Sequence, residues 1–133
     1  MTFLDLAQRA VAAGIEYART RNLKMTVLAM DITGTVCAAA RMDGSRTITY
    51  KIALAKANTA REFQASTAEL AARVKPENKV ALGQIGTDIA FLGGGVPITT
   101  DGELIGAIGA SGAAEEEDVE CAEVALAAAL GAS

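Results

Sequence analysis

The chain contains no histidine and no tryptophan, and only 4% of its residues are aromatic. Without histidine the commonest general base, haem ligand and transition-metal ligand are all missing, and a conventional hydrolase triad cannot be assembled. Chemistry must then run on carboxylates, Lys, Arg, Tyr, hydroxyls or backbone groups, and no metal site is expected. The two cysteines, Cys37 and Cys121, are too few for a disulfide framework. In apolar surroundings both read as buried, reduced thiols. No apolar run approaches the roughly 20 residues that cross a bilayer, and the N-terminus shows no basic segment followed by an apolar one. A cytoplasmic protein with no membrane partner is expected. The 12 Lys and Arg are outnumbered by 16 Asp and Glu and are scattered rather than striped, which argues against nucleic acid as a partner.

What is present is small and aliphatic. Residues 1–133 have the usual size of one domain with one core, and the 51% hydrophobic content is mostly Ala, Val, Leu and Ile, which suits tightly packed helices and strands. Thr2 followed by Asp5 reads as an N-cap, and Phe3, Leu6, Ala7, Ala10, Val11, Gly14, Tyr17 and Ala18 recur at helical spacing. Lys24 to Ile32 and Thr35 to Met42 are β-rich runs around Thr33-Gly34, a hairpin signature. Both faces of the first strand are apolar, so cover is expected on both sides of a sheet. After Asp43-Gly44 the period turns helical through Ile48, Ile52, Ala55, Thr59 and Phe63, with a second face of Ala53, Ala57 and Ala60. Ser66 with Glu69 opens a short helix, and Pro76 begins a brief irregular segment running to about Asp88.

The remainder reads as strand pieces: Phe91-Leu92, then Gly93-Gly94-Gly95, then Val96 to Thr99, the turn Asp101-Gly102, and Leu104 to Gly109. Asp-Gly between two apolar runs is a strong hairpin signal. Glu115, Glu116, Glu117 and Asp118 place negative charge on the first turn of a closing helix, where the helix dipole favours it, and read as a helix start rather than a metal site. The order predicts an α/β (α+β) fold with an antiparallel sheet of about five strands and helices on both faces.

Several residues are candidates for a site. Gly93, Gly94 and Gly95 followed by Pro97 leave backbone amides bare, so the loop either cradles an anion or makes a tight connection between two strands. Arg41 either pairs with a ligand carboxylate or locks its turn through a nearby acid. Lys56 either snorkels to solvent or points into a pocket beside Thr59. Asp31 most simply caps the hairpin turn. The Ser111 hydroxyl meets a ligand or holds the acidic helix start.

Four stretches together resemble the GlcG/HbpS family, which includes haem-binding proteins and the C-terminal domain of PduO-type corrinoid adenosyltransferases. They are Asp31-Ile-Thr-Gly34, Ala40-Arg-Met-Asp-Gly44, Lys56-Ala-Asn-Thr-Ala60, and Gly93-Gly-Gly-Val-Pro-Ile98 joined to Asp101 through Gly112. The resemblance implies a profilin-like three-layer α/β/α domain with a pocket near the glycine loop and the central helix. It also implies homo-oligomers, dimer-based and up to tetramer or octamer, and it suits a closing helix apolar around much of its circumference. Its haem role transfers poorly without histidine, since only Met42, Tyr50 or a cysteine remains as an iron ligand, and no cofactor is required.

Three functions follow. One is a small-molecule binding protein, accessory to catabolism, in which Arg41, Lys56, Thr59, Gly93, Gly94, Gly95 and Pro97 hold an organic acid or cofactor fragment. A second is an isomerase, lyase or hydrolytic deaminase in which Asp31, Glu62 or Asp88 moves a proton while Arg41 and the Gly94 and Gly95 amides steady an oxyanion. The third is tetrapyrrole binding without histidine.

Overall fold

The computed structural model describes residues 1–83 and 88–131. Helix α1 (Phe3–Thr20) opens with a closed capping box, Thr2 Oγ1 accepting from the Asp5 amide and Asp5 Oδ2 from the Thr2 amide. Strands β1 (Thr26–Asp31) and β2 (Val36–Arg41) follow, then α2 (Ile48–Phe63), α3 (Thr67–Arg73) and α4 (Pro76–Gly83). Strands β3 (Gly95–Thr100) and β4 (Glu103–Ser111) and helix α5 (Glu115–Ala129) complete the order. The sheet is antiparallel in the order β2-β1-β4-β3. Asp101 (φ 52°) and Gly102 (φ 78°) both take the positive φ that a two-residue type I′ hairpin demands.

Among the described residues the sheet has four strands, not five, because Phe91-Leu92 does not pair with it. The Ala90 amide donates to Thr59 Oγ1 at 2.9 Å and the Phe91 ring lies 6.0 Å from that of Phe63, so this segment runs along α2. The stretch expected to be irregular from Pro76 is helix α4 as far as Gly83; its continuation through 84–87 lies outside the described residues.

Strand alternation sends β1 side chains to two cores. Met25, Val27 and Ala29 join Ile98 and Ile108 under α1 and α5, while Leu28 and Met30 join Ala107 under α2. The face of α2 that meets the sheet is the alanine face: Ala53, Ala57 and Ala60 are fully buried, whereas Ile48 is 55% exposed and Phe63 41%. Small residues let the α2 backbone close onto the sheet. A Cβ added to Gly109 would run into the Ala53 carbonyl oxygen, and one on Gly95 into that of Lys56. No described helix is long and apolar enough to cross a membrane.

Candidate functional site

At one end of the sheet Thr26 stands opposite both Arg41 and Ser111. Its side chain, like those of Leu28 and Met30, points toward α2, where its hydroxyl shares a 2.8 Å hydrogen bond with that of Thr49. Two helical turns beyond Thr49, on the same buried side of α2, Lys56 has a side chain only 3% exposed. Its Nζ donates to Asp118 Oδ2 at 2.9 Å and to the Ala110 carbonyl at 3.0 Å. Asp118 sits on α5, 6% exposed, and its second oxygen accepts from the Ala113 amide at 3.0 Å. An ion pair buried this well costs little only while both partners are present and hydrogen-bonded.

The pair borders a cavity of about 300 Å³. Thr49, Ile52 and Lys56 of α2 form one wall; Ser111, Gly112 and Ala113 form the floor; Leu92, Glu115 and Asp118 close it. The lining is apolar with a few convergent polar groups, the usual make-up of a small-molecule site. Burial pushes the Asp118 carboxyl above its ordinary range, and the hydrogen bond and charge of Lys56 only partly oppose that. Asp118 therefore holds a proton more readily than a free aspartate does.

The glycine run serves this arrangement through what it omits. A Cβ on Gly94 (φ 129°) would lie 2.8 Å from Lys56 Nζ and 2.5 Å from the Ala110 carbonyl oxygen, so only glycine leaves room for the buried ammonium. Two of the three amides expected to be bare are engaged: Gly93 donates to Glu115 Oε2 at 2.7 Å and Gly95 to Thr67 Oγ1 at 2.8 Å. Gly95 begins β3, so the run leads into one strand instead of joining two. Pro97 faces Ala107 within β3, an edge strand, where a missing N–H is tolerated.

The other expected residues lie elsewhere. Arg41 is exposed, with Nη1 donating to the Ser45 carbonyl at 2.8 Å, so it ties down its own turn through a carbonyl and not an acid, and it does not line the cavity. Asp31 is at the opposite end of β1, about 16 Å away at strand rise. It caps the hairpin, accepting from the Thr33 amide (2.9 Å) and hydroxyl (2.6 Å); these bonds hold its carboxyl below the ordinary value. Arg41 and Asp31 thus do not meet. Thr59 is buried and donates to the Ala55 carbonyl at 2.7 Å while accepting from Ala90, a staple outside the cavity. Glu62 and Asp88 are exposed, Glu62 pairing with Arg61 at 2.8 Å.

Cys121 is buried as expected and donates to the Gly14 carbonyl at 3.4 Å; burial pushes its thiol up to about 12. Cys37 is only half-buried, because β2 is an edge strand, and faces Asp31 Oδ2 at 3.7 Å. Asp118 is the functional candidate hidden by its neighbours. It is the buried one of the four acids opening α5 and falls in the helical period of Cys121, Ala122, Ala125 and Ala129, and that period was the available signal.

Architecture and site together define a three-layer α/β/α protein with a cavity between helix α2 and the end of its sheet. The chain belongs to the GlcG/HbpS family: it matches the family described as haem-degrading protein HbpS-like over residues 3–127. It is 32% identical over 130 residues to the corrinoid adenosyltransferase PduO of Salmonella typhimurium, covering 96% of this chain and 38% of PduO. The chain thus spans well under half of that relative's length. Among solved structures it is similar to Klebsiella pneumoniae protein ORFY (TM-score 0.89, 29% identity, 100% of this chain and 92% of that one). It is similar as well to the PduOC:heme complex (TM-score 0.88, 30% identity, 96% and 94%).

Proposed function

We propose that this chain binds a small molecule in the cavity beside the Lys56–Asp118 pair, as a cytoplasmic accessory protein of small-molecule catabolism folded as one domain. The observation that carries the reading is an ion pair buried to 3% and 6% exposure yet lining a cavity of about 300 Å³. A pair kept only for stability is replaceable by apolar side chains; one bordering a cavity presents charge and hydrogen bonds to an occupant. The organic-acid form of this reading leaned on Arg41 and on bare glycine amides, and Arg41 and the Gly93 and Gly95 amides are engaged within the fold. Apolar side chains left outward on α2 and α5, such as Ile48, Phe63 and Val124, support a homo-oligomer.

Haem is the partner of PduOC in the solved complex that this chain resembles, and the donor set here does not fit it as an iron ligand. The cavity is lined by no Cys, Met or Tyr. Met42 Sδ accepts from the Met25 amide, Cys121 is sealed in the core, and Tyr50 is on the surface. Cys37 borders a separate groove of about 590 Å³ between α1 and β2, but iron takes a thiolate, and burial with the charge of Asp31 pushes this thiol up.

A second reading, catalysis, is favoured by one observation: the carboxyl that burial pushes up is Asp118, in the cavity, and not Asp31. Proton transfer would then fall to Asp118 with Lys56 as its partner. Native mass spectrometry of protein purified from its own host tests binding. A small retained mass is expected, and it should be absent from the Lys56→Met/Asp118→Leu double variant. Retention by that variant would move the site elsewhere, and release of a converted product would favour the enzyme.

A further inference from the structure

The cavity lining carries three formal charges: the ammonium of Lys56 and the carboxylates of Glu115 and Asp118. Lys56 spends two of its three donors, on Asp118 and on the Ala110 carbonyl, which leaves one N–H for an acceptor. Each carboxylate spends only part of its accepting capacity, Glu115 on the Gly93 amide and Asp118 on Lys56 and the Ala113 amide. The floor, from Ser111 to Ala113, leads straight into a helix whose first turn holds Glu115, Glu116, Glu117 and Asp118, so the dipole that would welcome an anion there is already neutralised. An anionic ligand meets two carboxylates for one ammonium that is itself paired. A cationic ligand meets the two carboxylates, but both already accept bonds within the fold, and it must sit beside that ammonium in a small, mostly apolar volume.

Resting on the small-molecule reading above, we infer that the cavity selects an uncharged ligand whose polar group is both acceptor and donor, of the carboxamide or ureide type, and discriminates against the matching carboxylate. The acceptor oxygen takes the remaining Lys56 N–H, and the donor N–H groups go to Glu115 or Asp118. Apolar Ile52 and Leu92 cover the rest of such a molecule.

Benzamide, benzoate and benzylamine share one ring and differ in charge, so they serve as probes. Titrated into the uniformly labelled protein, benzamide should shift the backbone amide resonances of Ser111, Gly112 and Ala113. Benzoate should bind about tenfold more weakly, the scale of one screened like-charge contact. Glu115→Gln keeps an acceptor for Gly93 but removes one negative charge, and should narrow the benzamide-to-benzoate ratio severalfold. Benzoate or benzylamine binding as tightly as benzamide at these resonances overturns the inference while leaving a small-molecule cavity in place. If no probe moves these resonances, the small-molecule reading itself fails and the inference falls with it.

Discussion

The two faces of the sheet are built from different materials. Under α1 and α5 the core is aliphatic, with Leu6, Val11, Ile15, Met25, Val27, Ile98 and Ile108 interlocking. Under α2 only Leu28 and Met30 are large among the buried members of the cluster, and they meet alanine, glycine and satisfied polar groups: Ala53, Ala57 and Ala60 against Gly109 and Ala107, with the Thr26–Thr49 and Lys56–Asp118 pairs at one end. The first face supplies burial, about 25 cal/mol per Å² of apolar area. The second brings a helix backbone almost onto the strands and, in doing so, holds an ammonium against a carboxylate at the rim of a cavity. One side of the sheet stabilises the protein; the other trades burial for a site.

The contrast breaks most sharply at Asp118. Replacing it with alanine strands a buried ammonium and should cost about 3–5 kcal/mol in urea unfolding. The Lys56→Met/Asp118→Leu double variant should recover most of that loss while losing ligand. A loss below about 1 kcal/mol for Asp118→Ala would mean that Lys56 escapes to solvent and that this end of the face is open. Next comes close approach. Gly109→Ala pushes a methyl group into backbone, which cannot yield locally, and should cost about 1–3 kcal/mol. Gly14→Ala, on the α1 side, meets the Val27 side chain at 2.9 Å and gains about 1 kcal/mol of helix propensity, so its net cost should be clearly smaller. Equal costs in thermal unfolding would erase the distinction. On the aliphatic face Ile108→Val should cost about 0.5–1.5 kcal/mol with benzamide affinity unchanged, since Ile108 does not reach the cavity.

The same contrast explains what the sequence could and could not tell. Helix α1 and the Asp101-Gly102 turn were legible because large apolar residues at helical spacing and positive-φ turn chemistry are local signals. The three layers followed from the apolar run on both faces of β1. The orientation of α2 was not legible: Ile48, Ile52 and Phe63 make the stronger stripe by hydrophobicity, yet the sheet takes Ala53, Ala57 and Ala60, because small residues permit a close approach that no periodicity measures. Phe91-Leu92 looked like a strand because two apolar residues beside glycines carry no record of whether they pair with a sheet or a helix. Lys56 was legible as a candidate. Its partner lay 62 residues away in a run of four acids, and long-range pairing leaves no mark in spacing. Of the glycine run the sequence offered two readings, an anion cradle or a tight connection between strands, and neither marks the close approach of the Lys56 ammonium to Gly94.

The smallest effect compares two carboxylates toward opposite ends of the sheet, Asp31 at the end of β1 and Asp118 beside the cavity. Asp31 is held below its ordinary value of 3.8, chiefly by the Thr33 hydroxyl; burial opposes this, and the Thr33 and Thr35 amides add to the lowering. Its contribution to stability is therefore present above about pH 4 and is lost as the pH falls through its folded value. Asp118 is raised above 3.8, chiefly by burial, so its contribution is complete below about pH 4 and declines as the pH rises through its folded value. Asp31→Asn keeps an acceptor for the turn but removes the charge. It should cost about 0.5 kcal/mol at pH 7, the scale of one screened, exposed interaction, and nothing once Asp31 is protonated. Urea midpoints measured across pH 3 to 7 check this: the wild-type and Asp31→Asn curves should converge on acidification. A gap that widens instead would assign the acid sensitivity to another carboxylate and remove Asp31 from its place as the hairpin's charged cap.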